Sequence, residues 1–255
     1  MNALIHEIDT HYLTAGQGQP VLLLHGWGSS VEPYRQTIDL LSQNYFVIAL
    51  DLPGFGKTAE PKRPYSVDDY VDFVLEFLKL FSIDRLSLVG HSFGGRVIIK
   101  MANRSLPFSL DKIVLIDSAG IKPQPSKKKS WKQRCYKIGK ALAQCKPVAR
   151  CFPGLLEKLR VKFGSADYVA ASPLMRQTLV KVVNEDLTPL LPGIHAPTLL
   201  IWGENDTATP LSDGQKMEKA IANAGLAVIH NAGHFSFVEQ PFVYRSIMAS
   251  FFEIG

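Results

Sequence analysis

The chain has 255 residues, 46% of them hydrophobic and 20% charged, with a formal net charge of +5. This is the composition of a globular protein of one large domain, or of one domain carrying an insertion, and no apolar run reaches the roughly 18 residues a membrane-spanning helix needs. The opening residues, Met1 to Glu7, have neither a basic leader nor a long apolar stretch, and Cys135, Cys145 and Cys151 are odd in number without metal-like spacing to histidines, so reduced thiols and a cytoplasmic location are expected.

In chain order, residues 4–8 and 11–15 read as two short strands with Asp9-Thr10 at the turn between them. Residues 21–24 form a continuous apolar run of the kind buried on both faces of a sheet, closed by the glycine-bearing loop His25-Gly26-Trp27-Gly28-Ser29-Ser30. A helix over 34–41, a strand over 45–50 and the tight turn Asp51-Leu52-Pro53-Gly54-Phe55-Gly56 follow. Tyr70, Phe73, Val74, Phe77 and Leu78 recur at helical spacing, with Ser66 as N-cap ahead of Asp68 and Asp69. A strand then runs into Gly90-His91-Ser92-Phe93-Gly94-Gly95 and continues as a helix, and a further strand over 112–116 ends at Asp117.

After Gly120, strands stop for about seventy-five residues and helical stretches take over, at 131–142, 155–163 and 174–183. Alternation then resumes with a strand at 198–202, a helix at 214–222, a strand at 226–230 and a helix at 243–252. The pattern predicts an α/β fold: a mostly parallel, doubly wound sheet with a core of residues 1–120 and 190–255 and a helical cap at 121–189. In such sheets the functional crevice lies at the carboxyl ends of the strands. His25, Asp51, Ser92, Asp117, Asp206 and His234 all fall there.

Those positions suggest one chemistry. Gly-x-Ser-x-Gly between a strand and a helix is the pattern of a sharp turn that thrusts the serine hydroxyl into the open, with Gly90 and Gly94 removing side chains that would collide across it. A serine hydroxyl needs a base, and His234, in a loop of small residues after the last strand, is the candidate. The base needs a carboxylate to orient it. Asp206 supplies it in the order Ser92, Asp206, His234, with Asp117 and Glu204 as the other carboxylates in range. The amide of Phe93 at the helix start and that of Trp27 after His25-Gly26 are the candidate oxyanion donors. The Trp27 indole would wall the pocket, and His25 would brace its loop.

Val21–Gly28, the Asp51–Gly56 turn, Gly90–Gly95, Trp202-Gly203-Glu204-Asn205-Asp206 and Ala232-Gly233-His234-Phe235 together resemble the successive signatures of the α/β-hydrolase superfamily, over roughly 1–120 and 190–255. Within it the chain is similar to compact carboxylesterases, including the pimeloyl-carrier-protein methyl esterases, and to the carbon–carbon bond hydrolases that cleave vinylogous diketones. The resemblance implies a cofactor-free, metal-free serine hydrolase of a small-molecule or acyl-chain ester, with carbon–carbon or thioester cleavage on the same triad as the alternative and a non-catalytic receptor as the remaining one. Serine rather than aspartate at 92 points away from dehalogenase and epoxide hydrolase chemistry.

The charge is unevenly spread. Between Ile121 and Lys162 thirteen Lys/Arg face one acid, Glu157, a balance of +12, while the rest of the chain carries fifteen bases against twenty-two acids, −7. Lys127-Lys128-Lys129 and the amphipathic stretch 131–142 suggest a cap that favours anionic or acyl-chain substrates, or that docks an acidic partner or an anionic surface. No nucleic-acid recognition motif accompanies the charge, so nucleic acid is not expected.

Overall fold

The computed structural model describes residues 1–122, 145 and 165–255. The predicted helical stretches at 131–142 and 155–163, and the lysine run at 127–129, lie outside the described residues. Eight strands form one sheet: β1 (Asn2–Ile5), β2 (Ile8–Ala15), β3 (Gln19–Leu24), β4 (Tyr45–Leu50), β5 (Arg85–His91), β6 (Ser109–Ile116), β7 (Thr198–Gly203) and β8 (Ala224–Ile229), in the order β1-β2-β4-β3-β5-β6-β7-β8. β1–β2 and β2–β4 are antiparallel; every other pair is parallel. The sheet is therefore mostly parallel and doubly wound, as the alternation of elements predicts.

Among the described residues the α-helices are α1 (Arg35–Leu41), α2 (Val67–Leu78), α3 (Phe93–Met101), α4 (Ala166–Ala170), α5 (Pro173–Asn184), α6 (Leu211–Ala220), α7 (Ser236–Glu239) and α8 (Pro241–Phe252). Because side chains alternate along a strand, the continuous apolar runs of β3–β6 feed two cores. Leu22, Leu24, Ile48, Leu50, Leu88, Ile113 and Leu115 pack with α2, α3 and α6. Val21, Leu23, Val47, Ala49, Val89, Val114 and Ile116 pack on the other face with α1, α7 and α8. Ser66 caps α2 in a reciprocal box with Asp69, its Oγ accepting the Asp69 N–H (3.2 Å) and its own N–H donating to Oδ2 (2.7 Å).

One turn differs from the sequence expectation. The β1–β2 hairpin pairs Ile5 with Ile8, so the turn is His6-Glu7 and not Asp9-Thr10. Both turn residues have positive φ, 47° and 61°, as a two-residue turn matching the strand twist requires. Neither is the Gly or Asn that would have signalled it, and Asp9 instead sits in the strand, accepting from Asn2 Nδ2 (3.0 Å). Among the described residues no helix is long and apolar enough to cross a membrane.

Candidate active site

Ser92 follows the last residue of β5 and precedes the first of α3. Its φ of 48° and ψ of −108° lie outside the regions an L-residue adopts freely. The surrounding packing holds it there. The Ser92 N–H donates to the Ile116 carbonyl (2.9 Å), and its own carbonyl accepts from Ala119 (3.0 Å) and Arg96 (3.3 Å). A Cβ on Gly90 would lie 2.5 Å from Ile98 Cδ1 and 2.8 Å from the Gly94 backbone, and one on Gly94 would run into the Leu24 carbonyl. The absence of side chains at Gly90 and Gly94 is therefore what lets α3 sit so close to β5 and β3.

The candidate base and the candidate acid come from loops. His234 Nε2 is 3.0 Å from Ser92 Oγ, and its Nδ1 is 2.8 Å from Asp206 Oδ2. These partners assign the tautomer: Nδ1–H donates to the carboxylate and Nε2 accepts from the hydroxyl. The Asp206 side chain is fully buried while 21% of the His234 side chain is exposed. Burial alone would raise the Asp206 carboxyl, but hydrogen bonds from His234 and Thr209 outweigh it and leave it below the usual value. For His234 burial disfavours the cation, yet the Asp206 charge and hydrogen bond prevail and raise it above 6.5.

Of the three carboxylates the sequence left open, only Asp206 bonds to His234. Asp117, fully buried at the end of β6, accepts the Gly203 N–H (2.8 Å) on Oδ1 and the Ser236 N–H (3.1 Å) and Oγ–H (2.6 Å) on Oδ2. It ties β7 to the start of α7. Burial pushes it up to about 7 against the donors from Ser236 and Gly203. Glu204 lies beside His230 and the Asn231 amide, away from the site.

Sequence reading missed the residues that steady these loops. Asp206 Oδ1 accepts the N–H groups of Ala208 (2.7 Å) and Thr209 (3.0 Å), and Thr209 Oγ1 lies 2.7 Å from Asp206 Oδ2 and 2.9 Å from the Asp117 carbonyl. The Asp-Thr-Ala-Thr stretch carries the local signal for this, an aspartate capping its own turn. Trp202 Nε1–H holds the Thr209 carbonyl (2.7 Å). Around His234, Glu239 accepts from Gly233 (2.8 Å) and Phe235 (3.2 Å), and His91 Nε2–H donates to the His234 carbonyl (2.8 Å). Ser236 and His91 reach across more than a hundred residues, so no local pattern announces them.

The loop after β3 abuts the turn: a Cβ on Gly26 would lie 3.4 Å from Ser92 Cβ. His25 braces this loop, donating from Nδ1 to the Gly26 carbonyl (2.7 Å) and accepting the Leu52 N–H on Nε2 (3.0 Å). Buried Asp51 ties it further, accepting from Val31 (2.8 Å), Lys57 (2.9 Å) and His11 (2.9 Å). The backbone N–H groups of Trp27 and Phe93 have no partner among the described residues, and their rings meet edge to face at 5.5 Å. A cavity of about 320 Å³ opens over Ser92 and His234, walled by Trp27, Phe93, Arg96, Leu179 and Val182 among others. A second, of about 440 Å³, shares Trp27 and Asp167 with it and runs along Phe55 and Met175.

The family described as the alpha/beta hydrolase fold matches residues 19–241. The 2-hydroxy-6-oxo-6-(2'-aminophenyl)hexa-2,4-dienoic acid hydrolase of Metapseudomonas resinovorans is 27% identical, over 96% of this chain and 87% of that one. A solved meta-cleavage product hydrolase from Pseudomonas fluorescens superposes with a TM-score of 0.74 at 26% identity, over 99% and 97% of the two chains. A bacterial membrane phospholipase A does so with a TM-score of 0.76 at 26% identity, over 100% and 86%. With the match spanning most of the sheet and both ends of the site, the chain belongs to the alpha/beta hydrolase fold family and is an enzyme of that family.

Proposed function

We propose that this enzyme is a serine hydrolase that cleaves a carboxylic ester of a small-molecule or acyl-chain substrate through an acyl-enzyme. The observation that carries the reading is the unbroken hydrogen-bonded line from Ser92 Oγ through His234 to buried Asp206, opening on a cavity. His234 Nε2 takes the Ser92 proton as Oγ bonds to the ester carbonyl carbon, and the oxyanion settles on the amides of Trp27 and Phe93. The tetrahedral intermediate expels the alcohol, which leaves with the proton from His234. Water then attacks the acyl-enzyme with His234 again as base, releasing the carboxylic acid and restoring Ser92.

Ser92→Ala, with its fold checked by circular dichroism, should fail to hydrolyse p-nitrophenyl esters, and a fluorophosphonate should label the wild type at Ser92. Retained turnover in the variant would sink the reading.

A second reading is favoured by the relatives named above, two of which are dienoic acid or meta-cleavage product hydrolases. On it the same groups hydrate and split a carbon–carbon bond beside a ketone. Turnover of a vinylogous dienol diketone at a higher kcat/KM than any ester in a graded panel would select this reading.

A further inference from the structure

Among the described residues, Arg96 is the Lys or Arg side chain lining the cavity over Ser92, and the reaction above leaves it unused. It lies one turn along α3 from Ser92 and lines the same cavity as Ser92 and His234. The residue is only 3% exposed. A guanidinium brings five N–H donors and a permanent charge, and when buried it normally faces a carboxylate. Here it makes one hydrogen bond, from Nη1 to the Glu185 carbonyl oxygen (2.6 Å), and no carboxylate among the described residues lies within ion-pair distance.

The neighbouring acids are committed elsewhere. The Glu185 carboxylate pairs with Lys100. Asp186 accepts from Thr188 and Lys122. Asp213, on the cavity wall, is held by Lys216 (2.8 Å), and Asp167, also on the wall, does not reach Arg96. Arg96 is one of the residues lining the cavity, and its remaining guanidinium nitrogens are not among the completely buried, unpartnered side-chain polar atoms of the described residues, which are Tyr34 Oη and His91 Nδ1. Burial brings the group down to about 10 against the pull of Glu185 and Asp186, which leaves it a cation at neutral pH.

We propose that Arg96 is a specificity-determining residue that receives a carboxylate of the substrate, so that the bond cleaved at Ser92 belongs to a molecule carrying an anionic group a few bonds from the scissile carbonyl. This rests on the reading of Ser92 as nucleophile. It concerns a residue lining the pocket and is independent of the basic stretch at 121–162. A structural role confined to capping the end of α5 through Glu185 is the competing account.

The test compares methyl alkanoates with monomethyl esters of dicarboxylic acids of the same chain length, in wild type, Arg96→Gln and Arg96→Lys. The readout is the ratio of kcat/KM on each matched pair, in which a general loss of activity cancels. The wild type should favour the anionic ester about ten- to hundred-fold at one or two chain lengths, the range expected for hydrogen bonds to a charged group. Arg96→Gln should bring the ratio close to one, mainly through KM on the anionic ester, and Arg96→Lys should restore part of it. A ratio near one in the wild type, or a ratio unmoved by Arg96→Gln, overturns the proposal. Should the variants not fold, inhibition of wild-type neutral-ester turnover by glutarate and adipate, weakening as salt rises, decides the same point; equal inhibition by the corresponding diols overturns it. Failure of the nucleophile reading looks different: no ester is turned over and no fluorophosphonate label appears. In that case calorimetric titration of Ser92→Ala with adipate still reports whether the pocket binds the anion.

Discussion

The turn that carries Ser92 and the loop that carries His234 meet across 3.0 Å, yet different structure holds each. The serine side is local. One strand, one turn and one helix, contiguous in sequence, create it, and glycines at 90 and 94 let the backbones close in until Ser92 is forced to a positive φ. The histidine side is a meeting of distant segments. Asp117, His91 and Glu239 hold the backbone around His234, while Thr209 and Trp202 steady the segment with Asp206. The first is specified by sterics and the second by buried polar groups satisfying one another, so the two should fail differently when mutated.

The largest separation should appear at the reacting groups. On the proposed mechanism Ser92→Ala lowers kcat by about 10⁵–10⁶-fold, with an unchanged far-ultraviolet spectrum. Asp206→Asn should cost about 10⁴-fold, because the amide no longer selects the tautomer with Nδ1–H toward the acid. The pH profile sharpens this. His234 must be neutral to act as base, and its pKa lies above 6.5, so kcat/KM should fall tenfold per unit on the acid side of that raised value. In Asp206→Asn the raising charge is gone, so the residual activity should keep its plateau to lower pH. An acid limb that stays put would break the link between the two residues.

Next come the anchors of the histidine side. Asp117→Ala strands the buried N–H groups of Gly203 and Ser236, and should lower stability by about 2–4 kcal/mol, read as a fall in Tm. Its pH dependence has a definite sign. An unfolded aspartate titrates near about 3.9 and the folded one at about 7, so the folded state holds the proton more tightly. That stabilisation is complete below the unfolded value and disappears as pH rises through about 7. Wild-type Tm should therefore decline between pH 5 and 8 more steeply than that of the variant. Equal slopes would mean that Asp117 is not titrating there. Thr209→Val removes the hydroxyl that lies against both Asp206 Oδ2 and the Asp117 carbonyl, and should cost about tenfold or less in kcat.

The smallest effect sharpens the serine side. Ser92→Gly relieves a positive φ that Ser92→Ala retains, and should be the more stable of the two inactive variants by about 1 kcal/mol. Equal melting temperatures would mean that the turn stores no strain.

Much of this was readable in the chain because the relevant signals are short-range. Apolar runs at 21–24 and 45–50 predicted buried strands, Ser66 its cap, and Gly90–Gly95 its turn, since each depends on neighbours a few residues away. The hairpin turn at His6-Glu7 was misread for the complementary reason: the register Ile5–Ile8 places two side-chain-bearing residues at positive φ with no glycine or asparagine to announce it.

Sequence alone determined the order of strands and helices, the sharp turn at Ser92, and the fact that Ser92, Asp206 and His234 follow strand ends, because backbone sterics and side-chain alternation act locally along the chain. Only the tertiary structure decided which carboxylate meets His234. Asp117 and Asp206 both follow strands at the same edge of the sheet. The parallel packing of β6 against β7 turns Asp117 toward the Gly203 and Ser236 donors, leaving Asp206 to the imidazole. That choice depends on donors 86 and 119 residues away, and a buried polar group takes whichever donors the fold brings to it.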